Sequence, residues 1–351
     1  MSATPNPIHC ILPPHILESI KIHGDAKMKK MAERAEKEAD KARVQRMTII
    51  PQSPTPVGPP HIAETTLTLR REVYNGGHKV ALPGELVRAE GDPPVKDNTV
   101  NRVYELTGQV FQFYLGAFQR YSIDGKGLPI LSTVHHRRRF NNAFWNGTQM
   151  VFGDGDGLLF RSFTDLSVIG HELSHGVVQY SGGLLYKDQS GALNESFADV
   201  FGVMTVQYAN KQTVAEASWL VGETIFAPDV EGKALRSLKT PGLAYNDDIL
   251  GKDPQPFHMD LFVNTSSDYG GVHINSGIPN HAFYLLAQYL GGYSWEKAGQ
   301  IWYQAIQKLN NPMATFADWA DMTIQTAWEL FGQNSFEMQM VRRAWRLVGI
   351  H

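Results

Sequence analysis

The sequence has a single cysteine among its 351 residues, so no disulfide can form within the chain. It also lacks an apolar run of the ~18 residues that a membrane-spanning helix needs. The formal net charge of -3 provides no long-range attraction to nucleic acid or to anionic membranes. The opening residues, MSATPNPIHCILPPH, contain no basic segment followed by an apolar one, so they do not resemble a secretory signal. These absences argue against a disulfide scaffold, a membrane protein and a nucleic-acid-binding protein.

The first 61 residues differ in character from the rest of the chain. A proline-punctuated start leads into the charged run GDAKMKKMAERAEKEADKARVQRM, in which methionines and alanines recur at three- and four-residue steps. This spacing predicts one amphipathic helix with a thin apolar stripe. The proline-rich segment that follows, PQSPTPVGPP, favours an extended and accessible linker. We therefore interpret residues 1–50, called the leader below, as a separate unit, and residues 51–61 as a linker.

The remaining chain divides into two parts by its hydrophobic pattern. Residues 62–170 contain alternating apolar and polar stretches between turn signals, which predict strands, and one helix from Asn98 to Tyr121 with Asn98 as its cap. Residues 171–351 are dominated by long segments of helical periodicity. The pattern predicts an α+β protein with a strand-rich lobe followed by a helical lobe.

A metal-binding pattern lies near the boundary between these two parts. His171 and His175 are four residues apart, so on a helix both imidazoles lie on one face, with Glu172 beside them. A catalytic zinc ion usually takes three protein ligands and leaves one position open. Glu195 and Asp199, again four apart in an apolar segment, provide a third ligand and an acceptor for the ring N–H of His171. The alternative, that the histidines are ordinary core or surface residues, leaves this acidic pair unexplained.

These segments together resemble the thermolysin-like metallopeptidases. The similarity rests on ordered blocks: NNAFWNGTQMVFGDGDG, HELSHGVVQYSGGLLYKDQSGALNESFADVFG, ALRSL and GGVHINSGIPNHAFYLL. A leader with the motif C-x-x-P-P is similar to that of the short-propeptide, protealysin-like branch. The resemblance implies a two-lobed fold with the zinc site in the cleft between the lobes, and a chain in precursor form.

The resemblance also implies roles for further residues of the cleft. Asn142 and the carbonyl of Ala143 would hold the substrate backbone, Tyr186 and His273 would stabilise the oxyanion, and Asp268 would orient His273. Arg236 would bind the substrate carbonyl after the cut bond, and an apolar pocket there would be lined by Val168, Val221, Ile225 and Leu235. From the residues alone, Tyr186 could equally be a core aromatic, Asp268 a turn residue and Arg236 a surface ion-pair partner.

The predicted activity is that of an endopeptidase that cuts before large apolar residues. A zinc-activated water would attack the peptide bond, with Glu172 as general base. One zinc ion is expected. A structural calcium cluster is not, because Ser167 and Val206 stand where the family places carboxylates, although Glu223 remains.

The resemblance further implies that the leader inhibits the enzyme. Pro13, Pro14 and the apolar residues after them would occupy the primed side of the cleft, and removal of the leader near residues 46–52 would activate the enzyme. Two interpretations of Cys10 stay open: a thiolate that approaches the zinc, or a small buried apolar filler.

Two rival functions are an exopeptidase, which needs acidic groups around a free amine, and a binding protein with an inactive site. The expected partners are peptide or protein substrates and the leader itself, in a monomer that binds neither nucleic acid nor membranes. Relatives imply secretion, whereas the missing signal leaves a cytoplasmic location as the alternative.

Overall fold

A computed structural model describes the backbone of residues 9–46 and 68–351 and the side chains of 10–37 and 68–351. The predicted linker and the bonds of residues 47–52 therefore lie outside the described residues. One mixed sheet contains six strands: β1 His9–Cys10, β2 Arg71–Asn75, β3 Glu85–Ala89, β4 Ile130–Val134, β5 Ala143–Trp145 and β6 Met150–Phe152. Two short hairpins are formed by β7 Leu220–Val221 with β8 Arg236–Ser237, and β9 Asn246–Asp247 with β10 Gly251–Lys252.

The helices follow the predicted division of the chain. The leader contains α1 Pro14–His23 and α2 Ala26–Arg46, and the strand-rich lobe contains α3 Asn98–Phe118. The helices of the second lobe are α4 Leu166–Gln179, α5 Asp188–Asn210, α6 Asp268–Asn275, α7 Gly277–Leu290, α8 Lys297–Lys308, α9 Phe316–Phe331 and α10 Phe336–Leu347, with a 3-10 turn at Met259–Leu261. The α+β class and the order of the lobes are confirmed. The predicted boundary between residues 170 and 171 falls within α4.

One detail of the prediction is wrong. The residue that caps α3 is Asp97, not Asn98: its Oδ1 accepts hydrogen bonds from the N–H groups of Thr99 at 2.9 Å and Val100 at 3.3 Å. Asp and Asn are about equally good caps, so composition alone does not separate neighbouring candidates. Asn98 becomes the first helical residue.

The leader joins the sheet as an added edge strand. The strand order is β1-β5-β6-β4-β2-β3, and β1 pairs antiparallel with β5, with His9 opposite Trp145 and Cys10 opposite Phe144. An edge strand exposes unpaired N–H and C=O groups that can bind another extended segment. Along this edge, the segment comes from the chain's own N-terminal part.

Helices α4 and α5 bring the predicted zinc ligands together because they cross closely at two glycines. A Cβ added at Gly202 would meet the carbonyl oxygen of Ser167 at 2.4 Å and the backbone nitrogen of His171 at 3.1 Å. One added at Gly170 would approach Cα of Gly202 at 3.0 Å. The small residues therefore permit the distance at which both helices can contribute to one site.

We expect Gly202→Ala to lower the free energy of unfolding by about 1–3 kcal/mol, because the added methyl must push α5 away from α4. The same displacement should weaken zinc binding. Denaturant unfolding and zinc titration of the variant measure the two effects. An unchanged midpoint together with unchanged zinc affinity would show that this crossing does not position the ligands.

Among the described residues, no helix combines the length and the apolar character that crossing a membrane requires.

Candidate metal centre and substrate cleft

The structure brings three predicted ligands to one point. His171 and His175 project from α4 and Glu195 from α5, and one ligand atom from each lies within 4.8 Å of the other two. All three side chains are buried. Among the described residues, these three are the histidine, cysteine or acidic side chains that lie close enough together to hold a metal ion.

Two neighbouring side chains orient the imidazoles. Nδ1 of His171 lies 2.9 Å from Oδ1 of Asp199, and Nδ1 of His175 lies 2.9 Å from the amide oxygen of Asn194. Because both acceptors are oxygens, each Nδ1 carries the hydrogen and each Nε2 presents its lone pair. The two Nε2 atoms face each other at 2.9 Å. Two opposed lone pairs repel, and a cation between them removes the repulsion.

The spacing of the donors fits zinc. Nε2 of His171 lies 3.5 Å from Oε2 of Glu195, and Nε2 of His175 lies 3.4 Å from Oε1. Tetrahedral zinc with ligand bonds of about 2.0–2.1 Å separates neighbouring donors by roughly 3.3 Å. Two imidazoles and a carboxylate are also a donor set that zinc accepts at catalytic sites. The residues present therefore fit a zinc ion.

Asp199 does more than hold His171, because it also forms a buried pair with Arg236. The guanidinium donates to both carboxylate oxygens of Asp199 at 2.8 Å, and Asn280 Nδ2 donates to Oδ2 at 3.0 Å. Burial alone would raise the pKa of Asp199, but the charge of Arg236 and the hydrogen bonds from His171 and Arg236 outweigh it and hold the pKa well below its ordinary value. The carboxylate thus stays ionised between two cationic or polar partners.

Tyr186 and His273 lie next to the predicted ligand Glu195. The Tyr186 hydroxyl donates to Oε1 of Glu195 at 2.5 Å and lies 3.1 Å from Nε2 of His273. Asp268 accepts from both Nδ1 and the backbone N–H of His273, at 2.7 and 2.8 Å. Burial alone would lower the pKa of His273, but the charges of Asp268 and Glu195 outweigh it and raise the pKa to about 9. The ring is therefore positioned and charged as an oxyanion donor requires.

The backbone before His273 explains how Asp268 reaches it. Asp268, Tyr269, Gly270 and Gly271 all have positive φ, between 52° and 92°. Left-handed backbone is costly for most residues, and two of the four positions are glycine. At Gly270 an added Cβ would also meet the carboxylate of Asp188 at 2.2 Å. This tight turn folds Asp268 back onto the helix that carries His273.

The leader occupies the cleft with a regular set of main-chain hydrogen bonds. The N–H of Ile11 donates to the carbonyl of Ala143 at 3.0 Å, and the N–H of Leu12 donates to Oδ1 of Asn142 at 3.0 Å. Arg236 donates to the carbonyl of Ile11 at 2.9 Å. His273 donates to the carbonyl of Cys10 at 2.8 Å. All the predicted backbone-binding groups of the cleft thus contact the leader.

The four predicted pocket residues lie beside these groups. Val221 and Leu235 belong to the β7–β8 hairpin, where Leu235 N–H donates to the Val221 carbonyl at 2.9 Å and Val221 pairs with Arg236. Val168 lies one helical turn before His171 on α4, and Ile225 follows the hairpin's first strand. All four are buried in the main hydrophobic core.

The predicted inhibitory residues Cys10, Pro13 and Pro14 lie in two different environments. Cys10 is buried in a cluster with Phe140, Phe144 and Val151. Pro13 caps α1 and Pro14 is its first residue, so the prolines end the extended segment. The apolar residues after them, Ile16 and Leu17, are buried on α1, and their predicted place on the primed side stays a prediction.

Sequence reasoning missed several residues of the site. Ile11 and Leu12, rather than the prolines, supply the N–H groups bound by the edge strand and Asn142. Asn194 and Asn280 contact His175 and Asp199. Asn194 could have been suspected, because it directly precedes the predicted ligand Glu195 on the same helix. Nothing in the sequence links Asn280 to α5.

Comparison with known proteins agrees with this geometry. Residues 66–179 match the family model described as thermolysin metallopeptidase, catalytic domain, and residues 182–350 match its alpha-helical domain. The chain belongs to the thermolysin family of metallopeptidases. The two models together cover most of the described chain outside the leader.

Two of the following three relatives match almost the whole chain, the leader included. An extracellular metalloprotease of Pectobacterium carotovorum subsp. carotovorum is 44% identical over 98% of this chain and 97% of its own length. Protease PrtS of Photorhabdus sp. (strain Az29) is 48% identical over 81% of this chain and 77% of its own. The precursor of protealysin, a metalloproteinase from Serratia proteamaculans, superimposes with a TM-score of 0.86 at 41% identity, covering 98% of this chain and 100% of that one. The chain is accordingly a zinc metalloendopeptidase of the thermolysin type in precursor form.

Proposed function

We propose that this precursor becomes an endopeptidase that hydrolyses internal peptide bonds before large apolar residues, after the leader is removed. The observation that carries the proposal is the path of the leader itself. An extended segment runs along β5 with residues on both sides of the Cys10 carbonyl, which His273 contacts. A cleft that accepts chain in both directions suits an internal bond, whereas an exopeptidase must close one end around a free terminus.

The positions of the residues support a role for each of them. We assign His171, His175 and Glu195 as zinc ligands, and Asp199 as the group that holds His171 and Arg236 in place. When zinc is bound at this centre, the chemistry it supplies is polarisation of the substrate carbonyl and acidification of water. Glu172 is buried and adjacent to His171 on α4, so it serves as the base that accepts the proton from water and delivers it to the leaving amine.

The remaining polar groups bind the substrate and stabilise developing charge. Tyr186 and His273 donate hydrogen bonds to the oxyanion, which is worth a few kcal/mol of the barrier for each donor. Asp268 keeps the His273 ring in position. Asn142, Ala143 and Arg236 bind the backbone after the cut bond. Because these donors and acceptors are fixed by other elements before substrate arrives, little reorganisation is needed.

The pocket of Val168, Val221, Ile225 and Leu235 sets the preference for the residue after the cut bond. We expect leader-free enzyme to cut blocked peptides with Leu, Ile or Phe at this position at least ~10-fold faster than peptides with Asp or Lys, because a charge cannot be solvated in a buried apolar pocket. Profiling a peptide library that varies this one position measures the preference. Dominance of acidic or basic residues there would contradict the assignment of the pocket.

Latency and location complete the proposal. The leader covers the residues that would bind substrate, so the full-length chain is inactive toward added substrates until its connection at residues 46–52 is cut. We also propose that the chain divides into the leader (1–50), a linker (51–61), a strand-rich lobe (62–170) and a helical lobe (171–351). Because a relative is named as extracellular, we propose that the enzyme acts outside the cell. We further propose that it is a monomer that binds zinc and has no calcium cluster.

A further inference from the structure

The leader lies in the cleft in the direction and register of a substrate. Its N–H groups at Ile11 and Leu12 are bound by Ala143 and Asn142, each at 3.0 Å, and the carbonyl of Ile11 accepts from Arg236 at 2.9 Å. These are the contacts assigned above to the two residues after the cut bond. These contacts therefore give the register of the leader: Ile11 occupies the position of the first residue after the cut bond, and Leu12 that of the second.

The carbonyl before Ile11 lies where a reacting carbonyl belongs. The Cys10 oxygen accepts from Nε2 of His273 at 2.8 Å, and that nitrogen lies 3.1 Å from the Tyr186 hydroxyl and 3.6 Å from Oε2 of Glu195. His273, one of the two groups assigned to the oxyanion, thus binds the Cys10 carbonyl, and Tyr186, the other, adjoins His273. The side chain of Ile11 is fully buried, and Arg236, which binds its carbonyl, is the strand partner of the pocket residue Val221.

The positions of the prolines fit a bond that can be cut. Proline has no backbone N–H, so at residue 11 or 12 it would remove a hydrogen bond to Ala143 or Asn142. The prolines begin at Pro13, directly after the last N–H that the cleft binds. An inhibitor that resists hydrolysis could place a proline one or two positions earlier. This leader instead presents an ordinary secondary amide between Cys10 and Ile11.

The residues that follow hold the leader whether or not that bond is intact. Pro14 begins α1, from which His15 Nε2 contacts the Tyr245 hydroxyl and Ser19 Oγ donates to the carbonyl of Ile249, both at 2.8 Å. Ile16, Leu17 and Ile20 of the same helix are buried. A cut before Ile11 therefore leaves the new amino terminus anchored in the cleft, and the leader continues to occupy the primed side.

We propose that the peptide bond between Cys10 and Ile11 is itself a substrate of the site, and that the precursor hydrolyses it within one molecule. This inference rests on the proposed endopeptidase function. Water provides the oxygen that bonds to the Cys10 carbonyl carbon, the C–N bond to Ile11 breaks, and the amine of Ile11 takes up the proton. The products are residues 1–10 ending in a carboxylate and a chain that begins at Ile11. Activation then has two separate cuts, one that trims the leader and one that detaches it.

The test is the mass and amino-terminal sequence of zinc-loaded full-length protein, sampled over time in the presence of a thiol reductant. A species beginning at Ile11 is expected, formed at a first-order rate that does not change over a ~10-fold range of protein concentration. Glu172→Gln should abolish this species. The leader fragment released by the later cut is sequenced as well, so that trimming before and after detachment are both counted.

A matched pair of leader variants tests whether Ile11 occupies the position directly after the cut bond. Ile11→Asn should lower the yield of the Ile11 terminus at least ~10-fold, because burying an amide in the apolar pocket is unfavourable. The same exchange at Ile22, whose side chain is 59% exposed on α1, should leave the yield unchanged. Melting curves of both variants show whether each remains folded.

Absence of an Ile11 terminus, or cutting at a different leader bond in its place, would overturn the inference. The proposed function would then still stand if processed enzyme cut blocked internal peptides. If processed enzyme cut no peptide at all, the function itself would fail. Equal yields from the Ile11 and Ile22 variants would also contradict the register, even with cleavage at the expected bond.

Discussion

Glu172→Gln should lower turnover of a blocked peptide by about 10²- to 10⁴-fold, the range expected when a general base is removed. The exchange keeps the size and shape of the side chain but removes the group that accepts the proton. His171, His175 and Glu195 remain, so zinc should still bind with a stoichiometry near one. Steady-state kinetics of leader-free enzyme, together with metal analysis, measures both quantities.

The zinc content is the control that gives the Glu172 result its meaning. A loss of activity with a loss of zinc would assign Glu172 to the integrity of the centre and not to proton transfer. A variant that kept both zinc and most of its turnover would exclude Glu172 as the base. Because the side chain is buried beside His171, a melting curve is needed to show that the exchange leaves the fold intact.

Asp199→Asn is expected to have the largest effect on stability. The exchange leaves Arg236 buried without its bidentate partner, and breaking a buried ion pair in this way costs about 3–5 kcal/mol. It also weakens the acceptor for Nδ1 of His171, and loss of such a partner typically lowers metal affinity 10- to 100-fold. Denaturant unfolding of the zinc-free protein separates the first effect from the second, which zinc titration measures.

Asp253 provides a matched control for Asp199. It is also buried, but it accepts from the backbone N–H groups of Gly242, Ala244 and Gln255, and burial raises its pKa. Asp253→Asn should therefore cost about 1–3 kcal/mol and leave zinc affinity unchanged. Equal effects of the two exchanges on stability and on zinc would contradict the role given to Asp199.

The zinc centre was predictable because its geometry is local. Residues four apart on one helix share a face, so His171 with His175, and Glu195 with Asp199, could each be placed without knowing the fold. Whether α4 and α5 approach closely enough depends on Gly170 and Gly202, and the sequence does not reveal that these glycines face each other. The resemblance to a family provided this missing step.

The register of the leader was not predictable. Strand β1 is two residues long and pairs with a strand more than a hundred residues away, so it has no periodic signal of its own. The sequence motif pointed to Pro13 and Pro14 as the inhibitory residues, whereas the N–H groups of Ile11 and Leu12 make the hydrogen bonds with the cleft. Proline marks where the extended segment ends, and the residues before it are those whose N–H groups remain available.

The central claim is that one zinc ion at His171, His175 and Glu195 makes the leader-free chain an endopeptidase. Its most direct test is to strip the processed enzyme of metal and return zinc stepwise while following cleavage of a peptide blocked at both ends. Activity should be absent without metal and reach its full value near one equivalent of zinc per chain. Cleavage that persists in the metal-free enzyme, or that does not return with zinc, would contradict the claim.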